Sequence, residues 1–131
     1  MLGIDTNVLV RLLVSDDPAQ TRRARSQIEK AVADEESVLV STLVVLETEW
    51  VLRSRYGFDR AGVHGLFRRM LQARELSFED EEGIEEALFN WETSSCGFAD
   101  CLIAAHHRRI GCRTTATFDA KAAKLSSMLL I

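Results

Sequence analysis

The chain contains few of the residues that cross-link, kink or loosen a small protein. Its 131 residues include one proline, seven glycines and three cysteines. So little proline and glycine leaves little room for flexible linkers, and we find neither an internal repeat nor a low-complexity tract. A chain of 131 residues corresponds to about one domain. We therefore expect a single domain over residues 1–131.

The cysteines are too few for a disulfide framework. Cys96, Cys101 and Cys112 form no C-x-x-C pair, and the three histidines show no ligand spacing with them. An odd number of cysteines in this pattern favours buried free thiols over disulfides or a zinc ribbon.

Long hydrophobic runs are also missing. Apolar stretches such as 43–46 and 101–105 are far shorter than the roughly 20 residues that span a bilayer. Asp5 interrupts the apolar start of the chain, which therefore does not resemble a secretory signal. We expect a cytoplasmic protein.

The chain has no excess of positive charge. A net charge of −4 argues against a protein that coats nucleic acid by charge alone. Arginines nevertheless cluster locally, and solvated helix faces explain most of these clusters. An acidic site with arginines at its rim remains compatible with a phosphate-bearing polymer. The local groups are Arg22, Arg23 and Arg25; Arg53 and Arg55; Arg68, Arg69 and Arg74; and Arg108, Arg109 and Arg113.

Short apolar segments alternate with amphipathic ones along the chain. We predict strands at 2–4, 37–40, 75–78, 113–117 and 128–131. We predict helices at 6–14, 18–33, 42–56, 59–71 (capped by Asp59), 80–92, 98–110 and 120–125. This alternation predicts a parallel sheet covered by helices on both faces. Ligands bind such sheets outside the carboxyl ends of the strands.

Four acids from distant segments lie at element junctions or against apolar surface: Asp5, Glu47, Asp100 and Asp119. Two carboxylates about 4 Å apart repel each other by about 4 kcal/mol at an effective dielectric near 20. If the four side chains meet, the cluster needs a divalent cation or partial protonation.

Each acid also has a purely structural interpretation. Asp5 and Asp119 follow strands and are good helix caps, and Asp100 lies where a helix dipole favours an anion. Glu47 is harder to explain, because apolar residues surround it on a helical wheel and an unpaired buried charge is costly. Glu49 is expected on the opposite side, paired with Arg53 at i+4.

Four segments, 3–9, 41–47, 97–104 and 117–119, carry a resemblance that extends over essentially the whole chain. In their order and content they resemble a PIN domain, specifically the small VapC-type ribonuclease toxins. Each motif is weak by itself, and the set of four is fairly specific.

The resemblance implies a three-layer α/β/α sandwich with a central, mainly parallel five-stranded sheet. It also implies Mg²⁺ or Mn²⁺ bound by the four acids, with Asp5 and Asp100 as the principal ligands and Glu47 and Asp119 completing the pocket. Endonucleolytic cleavage of RNA, homodimerisation and inhibition by a cognate antitoxin are implied as well. The side chains expected to orient ligands or water around the site are Thr6, Asn7 and Thr117.

Three other interpretations account for parts of the sequence. A haloacid dehalogenase-type phosphatase needs a second aspartate two residues after the first, where this chain has Asn7. A response-regulator receiver needs an acidic pair and a late lysine, and neither Lys121 nor Lys124 follows that layout convincingly. A non-catalytic PIN-like module that binds RNA or protein is disfavoured by the intact acids but stays open.

Overall fold

The computed structural model describes all 131 residues. By its internal contacts the chain divides into two compact units, Met1–Glu79 and Asp80–Ile131.

The first unit contains a three-stranded parallel sheet and four helices. Its strands are β1 (Leu2–Gly3), β2 (Val38–Val40) and β3 (Leu76–Phe78). Its helices are α1 (Thr6–Val14), α2 (Pro18–Ala33), α3 (Thr42–Ser54) and α4 (Arg60–Gln72). β2 lies in the middle and pairs in parallel with β1 and β3. The carboxyl ends of β1 and β2 therefore lead into α1 and α3 at the same edge of the sheet.

Side-chain caps begin all four of these helices. Each cap accepts a hydrogen bond from a backbone amide that the helix itself cannot satisfy, which contributes about 1 kcal/mol. The caps are Asp5 (amide of Val8, 3.0 Å), Asp17 (Gln20, 3.0 Å), Ser41 (Val44, 3.3 Å) and Asp59 (Gly62, 2.8 Å). Pro18 follows Asp17 in the first turn of α2, where its missing N–H costs nothing.

The core of the first unit forms around β2. Val38 and Val40 are fully buried, as are Leu9 of α1, Leu52 of α3 and Phe67 of α4. These helices thus cover the sheet with their apolar faces, and the polar groups at the carboxyl ends of β1 and β2 stay accessible.

The second unit contains two helices and a two-stranded parallel sheet. The helices are α5 (Glu81–Thr93) and α6 (Phe98–Arg109), and the strands are β4 (Thr115–Thr117) and β5 (Met128–Leu130). The rings of Trp91 on α5 and Phe98 on α6 meet edge to face, with centroids 5.2 Å apart. A 3-10 turn, Ala122–Lys124, connects the strands.

The α/β class and the five parallel strands confirm the predicted fold class, with three strands in the first unit and two in the second. Most predicted bounds agree with the structure to within one residue, and three segments differ by more. The strand expected over 113–117 begins only at Thr115. The helix expected over 42–56 ends at Ser54, and the helix expected over 120–125 is only the 3-10 turn. A single bond, from the Ala123 amide to the Asp119 carbonyl, reaches four residues back. The amides of Lys124 and Leu125 bond three residues back, to Lys121 and Ala122, so the segment continues as a 3-10 turn and not as an α-helix.

All three thiols are free. Cys96 and Cys101 are buried as predicted, whereas Cys112 is exposed, because it lies in the irregular segment after α6. No helix combines the length and hydropathy that crossing a bilayer requires.

Candidate active site

Asp5 stands at the carboxyl end of β1 and caps α1. Its Oδ1 accepts the Val8 amide at 3.0 Å, so the cap interpretation is correct for this residue. The side chain is exposed and its second oxygen has no partner within the protein. The cap holds the carboxylate in place and leaves one oxygen for a ligand.

Glu47 lines the same small pocket as Asp5. This pocket, of about 260 Å³, is bordered by the start of α1, with Thr6 and Asn7, and by the first turns of α3. Thr6 is buried and Asn7 is exposed. The first unit thus brings together two of the four acids and two of the three polar residues expected around them.

The expected burial of Glu47 was wrong. Glu47 is exposed, and its helical-wheel neighbour Leu43 is 77% exposed. Of its other wheel neighbours, Trp50 is 50% exposed and Val51 is buried, so the apolar residues around Glu47 do not form one buried face. Glu49 is the buried glutamate, at 4% exposure, and its Oε1 accepts Arg53 Nε at 2.9 Å, which confirms the predicted pair.

A larger groove of about 950 Å³ also begins at Asp5. It runs between β1, α1 and α2, and Arg11, Arg22 and Arg23 are among its lining residues. Arg11 is engaged with Gln20 and with other side chains of the first unit. Arg22 and Arg23 are exposed and have no hydrogen-bond or ion-pair partner. An acidic group therefore adjoins free cations in this unit.

Asp100 lies in the first turn of α6, in the second unit. Its carboxyl is half-buried and has no hydrogen-bond or ion-pair partner. Burial, and secondarily the negative charge of Asp119, raises its pKa above the usual value for an aspartate. The two acids of the second unit are therefore close enough to repel each other.

Asp119 follows β4 and organises the turn after it. Its Oδ1 accepts the amides of Lys121 at 2.8 Å and Ala122 at 3.2 Å. Its own amide donates to Thr117 Oγ1 at 3.0 Å, so Thr117 orients the backbone of this acid. As with Asp5, one carboxylate oxygen is engaged locally and the other has no partner within the protein.

The donor types in each unit suit a hard cation. Asp5 and Glu47 in the first unit, and Asp100 and Asp119 in the second, offer the oxygen ligands that Mg²⁺ and Mn²⁺ prefer, and Mg²⁺ commonly takes only one or two carboxylates from protein. Asp100 lacks a positive partner, and its raised pKa records the electrostatic cost of its surroundings. A divalent ion would remove that cost.

The sequence pattern of the PIN domain matches residues 3–127. The chain belongs to the PIN domain family. PIN domains are typically metal-dependent nucleases that use Mg²⁺ or Mn²⁺ and are often toxins of toxin–antitoxin pairs. No curated protein and no solved structure shows significant similarity to the chain.

Membership of the PIN family decides between the fold-level alternatives. The phosphatase interpretation rested on a strand-ending aspartate and the receiver interpretation on the sheet type, whereas the PIN match covers both units. Each motif that carried the resemblance lies within the matched residues.

Sequence reasoning assigned no role at this site to two accessible side chains beside Asp119. Phe118 is 84% exposed, and Lys121 is exposed without a hydrogen-bond or ion-pair partner for its side chain. The sequence feature that could have identified this pair is an aromatic residue, Phe118, directly before an acid that follows a strand.

Proposed function

We propose that this PIN domain is a Mg²⁺- or Mn²⁺-dependent endoribonuclease and the toxin of a VapBC-type pair. The observation that carries the proposal is Asp100, a half-buried carboxylate without a partner whose pKa is raised by burial and by Asp119. In a member of a nuclease family, a cation is the natural neutralising partner for such a pair.

Asp5 and Asp100 would be the principal ligands, with Glu47 and Asp119 completing the pocket. Bound Mg²⁺ or Mn²⁺ would stabilise charge on the phosphate and make water more acidic. The chain's own groups would place the substrate and the water. The free oxygens of Asp5 and Asp119 are held in position by local caps, so they could accept a proton from water without first being ordered.

Three polar residues would support these acids. Thr117 orients the backbone of Asp119, and Thr6 and Asn7 border the pocket that Asp5 and Glu47 share. We assign them an orienting role, since side chains around ligand carboxylates commonly fix ligand geometry.

The broader predictions concern assembly and location. A single domain over residues 1–131 is supported by a family match that runs through both units. The homodimer, the cognate antitoxin and the cytoplasmic location stay predictions. Growth arrest on expression of the isolated chain, relieved by the product of a neighbouring reading frame, would support the toxin assignment. Unimpaired growth with soluble protein present would contradict it.

Asp100→Asn provides the test of the nuclease. The asparagine keeps the size of the side chain and removes its charge. We expect RNA cleavage to fall by more than the roughly 10- to 100-fold that is typical when a residue supporting a metal ligand is replaced. Mn²⁺ at 100 times its Kd should stabilise the wild-type protein by about 2.7 kcal/mol and leave the variant unaffected. RNA cleavage and thermal unfolding with Mn²⁺ or with EDTA measure both effects.

Asp34→Asn is the matched control, because Asp34 is exposed at the end of α2 and belongs to neither pair of acids. It should behave as wild type in both assays. Equal cleavage by wild type and Asp100→Asn would mean that the activity is a contaminant, and the enzyme assignment would fail.

A further inference from the structure

The turn from Thr117 to Ala122 presents an aromatic ring, a carboxylate and an ammonium group within four consecutive residues, 118–121. Phe118 is 84% exposed, Asp119 directly follows it, and the Lys121 side chain is exposed and without a partner. No other large apolar residue of the chain is more exposed than Phe118.

Exposure alone carries no conclusion, because single apolar side chains are common on protein surfaces. The significance of Phe118 comes from its position. Phe118 directly precedes Asp119, and consecutive Cα atoms are about 3.8 Å apart, so the ring is attached to the backbone one residue from a candidate ligand.

The backbone on both sides of Phe118 is held in place. Before it, Thr117 Oγ1 accepts the Asp119 amide at 3.0 Å. After it, Asp119 Oδ1 accepts the Lys121 amide at 2.8 Å and the Ala122 amide at 3.2 Å. The ring therefore projects from an ordered turn, and stacking on it would not require ordering of the backbone.

We infer that this turn is a nucleotide-binding site in which one base of single-stranded RNA stacks on Phe118. The neighbouring phosphate is drawn by Lys121 toward the acids. Aromatic faces stack on any base, and proteins that bind single strands combine such rings with cations along the backbone. A base paired within a duplex cannot offer its face to the ring, so the site selects unpaired RNA. This inference rests on the proposed ribonuclease function.

Phe118→Trp allows stacking to be measured directly. A base that stacks on the indole should quench its emission when a single-stranded oligouridylate is added in EDTA, which prevents cleavage. Phe89→Trp is the matched control, since Phe89 is 59% exposed on α5 and lies outside the turn. The emission of Trp50 and Trp91 is common to both variants and to wild type.

We expect quenching in Phe118→Trp that exceeds any change in Phe89→Trp, and little effect of an RNA duplex on either. Phe118→Ala should bind the oligouridylate about 5- to 100-fold more weakly than wild type. Phe89→Ala should bind as wild type does, and Phe118→Tyr should retain most of the affinity. Loss of one phosphate contact in Lys121→Gln should lower the salt dependence of binding.

Three results would overturn the inference: equal emission changes in the two tryptophan variants, unchanged binding by Phe118→Ala, or no binding by the wild-type protein. If the emission of Phe118→Trp does not respond to RNA, the exposed ring would be a contact for a protein partner and not for a base. Failure of the nuclease proposal is distinguishable, because quenching without any metal-dependent cleavage would leave the stacking site standing. Metal-dependent cleavage with an unchanged KM in Phe118→Ala would support the nuclease proposal and contradict the stacking site.

Discussion

At the scale of single residues, two glutamates on α3 have opposite surroundings. Glu49 is buried and bonded to Arg53, whereas Glu47 is exposed, unpaired and beside Asp5 in a small pocket. They are only two residues apart and share the same helix. Substitution by glutamine removes the charge from either one with almost no change of shape.

Glu47→Gln should leave the free energy of unfolding within about 0.5 kcal/mol of wild type, as for most surface substitutions. RNA cleavage should nevertheless fall. Glu49→Gln should cost about 1 kcal/mol, because it weakens a charged hydrogen bond whose arginine is partly exposed to solvent. Urea denaturation together with a cleavage assay separates the two effects, and a marked loss of stability in Glu47→Gln would contradict the assignment.

The error over Glu47 has a physical origin. A helical wheel shows which residues share a face, but α3 carries apolar residues on more than one face. Val45 and Leu52 are fully buried, while Leu43 and Trp50 are largely exposed. Which face packs inward depends on α1, α4 and the sheet, and those long-range contacts are not contained in a local pattern.

At the scale of elements, helix starts were predicted better than helix ends. The starts of α1, α2 and α3 at Thr6, Pro18 and Thr42 match the predictions, because cap chemistry is local and directly visible in the sequence. The end of α3 and the short turn after β4 depend on how the last turn meets the rest of the fold, so they were misplaced.

One cap also links the two helices of the second unit. Asp80 accepts the Gly83 amide at 3.0 Å at the start of α5 and binds Arg109 at the end of α6, with His106 Nδ1 3.6 Å away. Burial acts to raise the pKa of Asp80, but the hydrogen bonds from Gly83 and Arg109 outweigh it and hold the pKa below its usual value. Its ionised form therefore stabilises the folded state.

Asp80→Ala should lower the free energy of unfolding by about 0.5–2 kcal/mol at neutral pH, the usual cost of a lost cap. Because the folded-state pKa is lowered, the charge-dependent part of this stability is complete above the unfolded pKa, near 3.9. It is lost as the pH falls through the folded pKa. In denaturation curves from pH 7 to pH 2, the deficit of Asp80→Asn should shrink in acid.

Glu82→Gln is the control for this prediction. Glu82 also contacts Arg109, at 2.8 Å, but its side chain is 77% exposed. Its substitution should change stability little at any pH. A deficit of Asp80→Asn that grows as the pH falls would contradict the direction of the pKa shift.

At the scale of the whole molecule, the arrangement of charge matters more than its sum. The net charge is −4, yet Arg22 and Arg23 stand free along the groove that starts at Asp5. The sequence identified this arginine cluster but not the groove, which requires β1, α1 and α2 to pack together. Likewise, the four acids were recognised from their segments, and only folding gave Asp5 and Glu47 a common pocket.

Arg23→Gln should weaken RNA binding at low salt and reduce the slope of log K against log salt by about 0.7, the value for one phosphate contact on a single strand. Arg25→Gln is its control, because Arg25 is exposed on the same helix but does not line this groove. Filter-binding titrations between 50 and 300 mM salt would measure both slopes. Equal slopes for Arg23→Gln and Arg25→Gln would show that the RNA does not bind along this groove.

The capping bonds of Asp5 and Asp119 have a consequence for how these acids respond to substitution. Each accepts a backbone amide through Oδ1. Substitution by alanine would therefore remove a capping hydrogen bond, at a helix start or in a turn, together with the negative charge. Asparagine keeps a side-chain carbonyl oxygen that can accept the same hydrogen bond, so the local backbone structure should be retained. Conversely, an ion that pulled Oδ1 of Asp5 away from the Val8 amide would loosen the first turn of α1. A cation bound through the other oxygen of Asp5 would leave that turn intact.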